Sequence, residues 1–127
     1  MKKIIIAIVL VLVVVFTYKT LSTPPKTKGV SSEDAEMILF WGDGCPHCKI
    51  VDGYITDNKI DEKVKISYKE VYYNKSNQNL LQETVKKCPS IDASQGIGVP
   101  LAFVKADSTC LYGDTPIIDW LKARVLK

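Results

Sequence analysis

Apolar residues from Met37 onward recur with two different periods, and these periods predict alternating strands and helices. Residues 37–41 form a wholly apolar run, which is typical of a strand buried on both faces. Residues 64–71 alternate between apolar and polar positions, as expected of a strand with one buried face. Between them, two glycines break the chain ahead of a helix that begins near Cys45. The apolar stripe of that helix is Ile50, Val51, Tyr54 and Ile55.

The second half of the chain continues the same alternation. A second helix is predicted from a cap at Ser76 to a stop at Pro89, and a last helix opens at Asp114. Between these helices, residues 99–104 and 109–112 form two strands joined by a short turn. The element order is therefore β-α-β-α-β-β-α, in which the crossover implies a parallel pair and the hairpin an antiparallel pair. The sequence thus predicts an α/β fold with a small four-stranded mixed sheet and helices on both faces.

The N-terminal segment has a different composition from the rest of the chain. Two lysines precede an unbroken apolar run at residues 4–16, which is the pattern of a basic n-region followed by an apolar h-region. No small-x-small cleavage site follows, so we expect residues 1–21 to form an uncleaved signal anchor, that is, a transmembrane helix. A cleaved signal peptide and a buried core helix are the alternatives. Residues 22–35, rich in Ser, Thr and Pro, are then a linker, and residues 36–127 form one domain.

The charge of the chain follows the same division. The formal net charge is +3, and Lys2, Lys3 and Lys19 account for all of it, since 14 basic and 14 acidic residues remain beyond Lys19. A neutral domain is not expected to bind nucleic acid. The positive N-terminal tip favours a cytoplasmic N-terminus, with the domain membrane-anchored on the extracytoplasmic side, or secreted if the segment is cleaved.

Two of the four cysteines lie two residues apart, in the motif Cys45-Pro46-His47-Cys48 at the start of the first predicted helix of the domain. An even number of cysteines in an exported small domain is compatible with disulfides. Cys88 and Cys110 fit either a second disulfide or two small buried hydrophobic residues. For the motif itself, three interpretations stay open: a redox pair, part of a four-thiolate zinc site, and a structural pair without chemistry.

The motif, its position after a buried strand and a later Val-Pro pair together resemble the thioredoxin-like superfamily over about residues 36–126. Phe40-Trp41 is similar to the aromatic pair that precedes the active-site cysteines in that family, and Gly98-Val99-Pro100 stands where the family has its cis-proline. The Pro46-His47 dipeptide resembles that of DsbA-like disulfide oxidants. In its size, and in having Cys88 ahead of the cis-proline stretch, the chain is similar to small membrane-anchored domains that partner vitamin K epoxide reductase homologues.

The resemblance implies roles for these residues. Cys45 is expected to be the catalytic thiolate and Cys48 the resolving cysteine, with Pro46 and His47 tuning the pair. A helix N-terminus and a protonated imidazole both stabilise negative charge, so we expect the pKa of the Cys45 thiol to lie below its free value of about 8.5. The expected substrate-binding residues are Trp41, which would pack under the site, Val99, whose backbone would pair with an extended substrate, and Pro100.

One position departs from the family pattern. Thioredoxin-like proteins have a buried acid on the first strand, six residues before the first cysteine, and Leu39 stands there in this chain. A proton acceptor near Cys48 must then be water or another acid. Glu70 and Asp43 are the candidates, and the sequence does not decide between them.

These features predict an extracytoplasmic thiol–disulfide oxidoreductase that oxidises cysteine-containing exported proteins through the Cys45/Cys48 pair. Such exchange needs no metal or organic cofactor, but the pair must be reset after each turnover. The resemblance implies a membrane redox partner of the vitamin K epoxide reductase, DsbB or DsbD type. The alternatives are a membrane-fed disulfide reductase of the same fold and, from different classes, a cysteine-based metal-binding or chaperone module and a non-catalytic scaffold.

Overall fold

A computed structural model describes residues 2–22, 29–94 and 96–126 of the chain. The elements are helix α1 (Lys2–Ser22), strand β1 (Met37–Trp41), helix α2 (Pro46–Asp57), a 3-10 turn (Ile60–Glu62), strand β2 (Ile66–Glu70), helix α3 (Lys75–Val85), strand β3 (Leu101–Val104), strand β4 (Thr109–Tyr112) and helix α4 (Asp114–Val125). Beyond α1, the order β-α-β-α-β-β-α agrees with the order that the apolar pattern predicts.

The four strands form one mixed sheet in the order β2-β1-β3-β4. Strand β1 runs parallel to β2 and antiparallel to β3, and β3 and β4 form an antiparallel hairpin. The predicted α/β fold with a four-stranded mixed sheet is therefore confirmed. Since β1 is central and hydrogen-bonded on both sides, its carboxyl end is a rigid point from which the following turn leaves the sheet.

Successive residues of β1 divide the core into two layers, because neighbouring side chains of a strand point to opposite faces. Met37 and Leu39 pack with apolar residues of α2 and α4 on one face of the sheet. Ile38 and Phe40 pack with Leu81 and other residues of α3 on the other face. Full burial of an aliphatic or aromatic side chain contributes about 1.5–3 kcal/mol each. The helices thus cover both faces, as predicted, and α2 and α4 lie side by side on the same one.

Three local predictions are wrong, each for a physical reason. Helix α3 is capped by Asn74, whose side chain accepts the backbone N–H of Asn77 at 3.1 Å, and not by Ser76. The same helix ends at Val85 rather than near Pro89, because the N–H groups of residues 87 and 88 donate to carbonyls three residues back and so tighten the chain out of the α-helix. Ile50 is 52% exposed, so it does not belong to the buried stripe of α2.

The predicted transmembrane segment is the largest correction. Among the residues that the structure describes, no helix is found that combines the length and the sustained apolar character needed to cross a bilayer. The apolar run at residues 4–16 has 13 residues, which extend about 20 Å as a helix, against a hydrocarbon core of about 30 Å. The prediction that residues 1–21 form a transmembrane signal anchor is therefore wrong.

The predicted linker at residues 22–35 lies partly outside the described residues, which omit 23–28. Its second part contacts the domain. Gly29 forms a bridge with Ser67 of β2, and the N–H of Val30 donates to the carbonyl of Ile66 at 3.0 Å. The Lys105 side chain donates to the backbone carbonyls of residues 32 and 33. Residues 29 and 30 therefore lie along the outer edge of β2, and residues 32 and 33 contact the side chain that follows β3.

Candidate functional site

The turn between β1 and α2 depends on two glycines. Gly42 is buried against the ring of Tyr72, and a Cβ at this position would overlap that ring. Gly44 has φ +77°, a left-handed conformation that other residues rarely adopt. The chain then turns into α2 with Cys45 as an extended N-cap and Pro46 in the first helical turn, where its missing N–H leaves no bond unmade. The sequence therefore places Cys45 at the very start of a helix.

Cys45 and Cys48 form a disulfide across the first turn of α2, with their Cα atoms 5.3 Å apart. The two cysteines are 5% and 6% exposed, so burial does not distinguish them. A hydrogen bond distinguishes the two sulfurs, because the backbone N–H of Cys48 donates to the sulfur of Cys45 at 3.2 Å. This N–H is one of the unpaired donors at the helix N-terminus, which stabilise negative charge. Cys45 is therefore the sulfur that this site favours as a thiolate.

A second segment approaches Cys45 from the other side. The Sγ atom of Cys45 lies 3.5 Å from the carbonyl oxygen of Val99. The peptide bond between Val99 and Pro100 is cis, so the predicted cis-proline is confirmed. Pro100 is fully buried, whereas Val99 is half-buried. The fold thus brings together the two segments that the sequence singled out, although they lie about fifty residues apart in the chain.

His47 has a hydrogen-bonding partner that sequence reasoning missed. Its Nδ1 atom lies 2.9 Å from Oδ2 of Asp114, the first residue of α4. The hydrogen bond with His47, and then the backbone N–H of Thr115, hold the pKa of the Asp114 carboxyl below its ordinary value. Sequence reasoning assigned Asp114 only to the start of the last helix, and it is the first residue of α4, directly after Gly113 at the N-cap position. An acid at the start of a helix packed beside α2 was the available signal.

Trp41 ends β1 and is half-buried. Its carbonyl accepts the N–H of Val71 at 2.9 Å, and it pairs with Glu70 across the β1–β2 ladder. These contacts fix its backbone to the neighbouring strand. The role predicted for its side chain, packing under the disulfide, stays a prediction.

Leu39, at the position where the resemblance would predict a buried acid, is 3% exposed and belongs to the apolar core. Glu70, one of the two candidate proton acceptors, is instead hydrogen-bonded within a turn. Its carboxylate accepts the backbone N–H groups of Tyr72, Tyr73 and Asn74 at 2.6, 3.0 and 3.2 Å, and that of Asp43 at 3.5 Å. Burial alone would raise the pKa of Glu70, but these N–H donors together hold it below its ordinary value. Such a carboxylate is a poor proton acceptor.

The substitution Glu70→Gln is expected to lower the free energy of unfolding by about 1–2 kcal/mol at pH 7, because an amide replaces one acceptor oxygen with a donor facing other donors. The pKa of Glu70 is lower in the folded chain than in the unfolded one. Its contribution is therefore present above the unfolded value of about 4.3 and is lost as the pH falls through the folded value. Urea denaturation at pH 7 and pH 3 should show a larger difference between wild type and variant at pH 7 than at pH 3. Glu83→Gln, an exposed change on α3, is the control, and an equal loss there would contradict the assignment.

The other two cysteines form a second disulfide. Cys88, which follows α3 and is 3% exposed, is joined to Cys110 on β4, with Cα atoms 5.7 Å apart and a sequence separation of 22. Of the two interpretations that the sequence left open, the structure contains the disulfide. It closes the loop that leads to Val99 and Pro100.

The described residues do not form the four-thiolate zinc site that was one of the alternatives. The four cysteines are divided between the two disulfides. Among the described residues, no group of three or more His, Cys, Asp or Glu side chains is placed to hold a metal ion.

A groove of about 520 Å³ lies beside the site and includes Val99 in its wall. The turn that follows β2 contributes one wall, α3 contributes another, and the loop ahead of the cis-proline contributes the remaining wall. The lining residues are Val71, Tyr72, Gln78, Leu81, Gln82, Ala93, Gly96, Ile97, Gly98 and Val99. Sequence reasoning missed this groove, because its walls come from three separate parts of the chain.

Known proteins supply no further guidance, since no protein family, no curated protein and no solved structure matches this chain. Any function must therefore be argued from the geometry of the site.

Proposed function

We propose that this protein is a thiol–disulfide oxidoreductase with a thioredoxin-like fold, in which Cys45 and Cys48 are the redox pair. The observation that carries the proposal is the position of the Cys45 sulfur. It caps α2, accepts the N–H of Cys48 at 3.2 Å and lies 3.5 Å from the carbonyl of Val99. The Cys48 N–H makes this sulfur a good leaving group when it is part of a disulfide, because it stabilises the thiolate that departs, while the contact with Val99 places the cis-proline segment beside the reacting sulfur.

The exchange reaction follows from these contacts. A substrate thiolate attacks the disulfide at the Cys45 sulfur, the bond between the two protein sulfurs breaks, and Cys48 leaves and takes up a proton. A second substrate thiolate then attacks the substrate sulfur of the mixed disulfide, and Cys45 leaves as the stabilised thiolate. The substrate gains a disulfide and the protein gains two electrons. In the opposite direction Cys45 attacks and Cys48 resolves.

The architecture supports the thioredoxin-like assignment. A central strand leads directly into the cysteine motif at the start of α2, which shares one face of the sheet with α4, while α3 covers the other. The cis peptide before Pro100 stands next to the first cysteine. Both are features that the resemblance of the sequence leads one to expect.

The groove beside Val99 supports a polypeptide as the substrate. At about 520 Å³ it is large enough for several side chains, and it opens next to the backbone that contacts Cys45. Two disulfides in one small domain favour an oxidising, extracytoplasmic compartment. The proposed substrates are therefore cysteine-containing exported proteins. A membrane protein of the quinone-linked or thiol-relay type would reset the pair, and exchange itself needs no bound metal or organic cofactor.

The direction of electron flow can be measured as the reduction potential of the Cys45/Cys48 pair in glutathione buffers. We expect a value nearer to about −120 mV, typical of an oxidant, than to about −270 mV, typical of a reductant. Alkylation and mass spectrometry assign the potential to this pair rather than to Cys88 and Cys110. A value near the lower figure would favour the reductase alternative, and a pair that does not exchange with glutathione at all would contradict the proposal.

A further inference from the structure

His47 is the only histidine of the chain, and its contact lies outside the motif that contains it. Its Nδ1 atom lies 2.9 Å from Oδ2 of Asp114, which is 67 residues further along. The side chains of His47 and Asp114 are 68% and 23% exposed, so the pair lies at the surface. It joins the first turns of α2 and α4 directly beside the disulfide.

The fold holds Asp114 in this position. The N–H of the preceding residue, Gly113, donates to the carbonyl of Pro100 at 3.0 Å, and Gly113 has φ +91°, a region that favours glycine. The neighbouring residue Val99 has its carbonyl 3.5 Å from the Cys45 sulfur. Asp114, the cis-proline segment and Cys45 therefore belong to one connected surface. The carboxylate is further oriented by the backbone N–H of Thr115, which donates to Oδ1 at 2.7 Å.

The charges around His47 differ between the two redox states. In the disulfide form neither sulfur is charged, and Asp114 is the anion in contact with the imidazole. Its hydrogen bond with His47 holds the pKa of Asp114 low, so the carboxylate is ionised at neutral pH. The other charged residues close by in sequence are Lys49 on α2 and Asp43 in the preceding turn, both exposed. The segment of Val99 and Pro100 carries no titratable group.

Reduction adds a second anion to the same turn. Oxidation of a substrate dithiol delivers two electrons to the disulfide and releases two protons. One proton binds the Cys48 sulfur and the other leaves to solvent, while the Cys45 sulfur keeps a negative charge supported by the Cys48 N–H. The His47 ring, in its protonated form, then has two anions near it, a carboxylate on α4 and a thiolate at the start of its own helix.

We propose that Asp114 is a positioning residue for the redox pair, which binds the His47 imidazolium in the disulfide form and competes for it with the Cys45 thiolate after reduction. This inference rests on the proposed function, because it gives Asp114 a part in setting the equilibrium of the same pair. The ion pair stabilises the oxidised protein, and the carboxylate also repels the thiolate. Both effects make the protein a weaker oxidant than it would be without Asp114.

The experiment measures the equilibrium constant between the full chain and glutathione at pH 7 and low salt. Asp114→Asn is expected to shift this constant toward the reduced protein by about two- to fivefold, a modest effect because exposed ion pairs are weak. Asp119→Asn is the matched control, since it removes the same charge from α4 at an exposed residue paired with Lys122. The shift should shrink in about 1 M salt, where exposed charges are screened.

A double-mutant cycle separates an action through His47 from a general charge effect. In a His47→Gln background, the effect of Asp114→Asn should fall to less than half of its value in wild type. A structural role for Asp114 alone would not produce this dependence. If Asp114→Asn does not fold, Asp114→Ser, which keeps a side-chain oxygen at the start of α4, is measured in the same way.

The inference is overturned by any of four results: no shift in the Asp114 variant, a shift toward the oxidised protein, an equal shift in Asp119→Asn, or an undiminished effect in the His47→Gln background. In each of these cases wild type still equilibrates with glutathione, so the proposed function stands. A wild-type protein that does not exchange with glutathione removes both the proposed function and the inference.

Discussion

Replacing Cys45 with Ser is expected to abolish thiol–disulfide exchange, lowering the rate by at least about a thousandfold. Cys45 is the sulfur that accepts the Cys48 N–H and lies beside the carbonyl of Val99. A serine hydroxyl at this position neither forms a disulfide nor ionises at neutral pH, so the first bond of the exchange cannot form. The measurement is the rate of insulin reduction and of dithiol-peptide oxidation by the purified chain.

The companion change Cys48→Ser gives a different expected result. Cys45 remains free to attack a substrate disulfide, but no second thiol is present to resolve the product. The variant should therefore accumulate a mixed disulfide that is visible by mass spectrometry, with turnover lost. If Cys48→Ser formed no adduct while Cys45→Ser did, the roles of the two sulfurs would be reversed. Exchange at the wild-type rate in Cys45→Ser would contradict the proposed function itself.

Removing the second disulfide is expected to give the largest loss of stability. The double substitution Cys88→Ala and Cys110→Ala should lower the free energy of unfolding by about 3 kcal/mol, because this crosslink restricts the unfolded chain over a separation of 22 residues. Urea denaturation without reductant measures the change. Exchange by Cys45 and Cys48 should persist under conditions in which the variant is folded.

The matched control for this prediction is the other disulfide. Cys45→Ala with Cys48→Ala removes a crosslink with a separation of only 3 residues, which restricts the unfolded chain far less. Its loss of stability should therefore be clearly smaller. Equal losses for the two pairs, or no loss for Cys88 and Cys110, would show that the second disulfide does not stabilise the fold in this way.

The elements of the domain could be predicted largely because its local patterns are strong. The apolar run Met37–Trp41 predicted β1 at the observed bounds, and the turn at Gly42 and Gly44 placed the start of α2. The cap of α3 could not be chosen in the same way, since Asn74 and Ser76 are both good capping residues. The observed cap follows from contacts of Glu70. Its carboxylate accepts the N–H groups of residues 72–74, and this turn directs the chain into the helix at Asn74.

In the site too, the local motif could be predicted from the sequence, whereas the contact between distant residues could not. Cys45 and Cys48 lie within one four-residue motif, which can be recognised from the sequence alone. The contact between His47 and Asp114 joins residues on two helices, and its existence depends on how α2 and α4 pack on the sheet. The transmembrane prediction is wrong for a different reason. It counted residues 17–21 as interfacial to bring a 13-residue apolar run near the length of a bilayer span, and no helix of sufficient length and apolar character is found among the described residues.

The segment at residues 29–35 has a consequence for how the domain behaves among other molecules. Strand β2 is an outer strand of the sheet, and exposed outer strands are prone to pair with strands of neighbouring chains. The bridge from Gly29 to Ser67 and the bond from Val30 to Ile66 occupy backbone groups on that side. A fragment that began at residue 36 would leave these backbone groups of β2 free to pair with strands of other chains. We therefore expect such a fragment to aggregate more readily than the full chain.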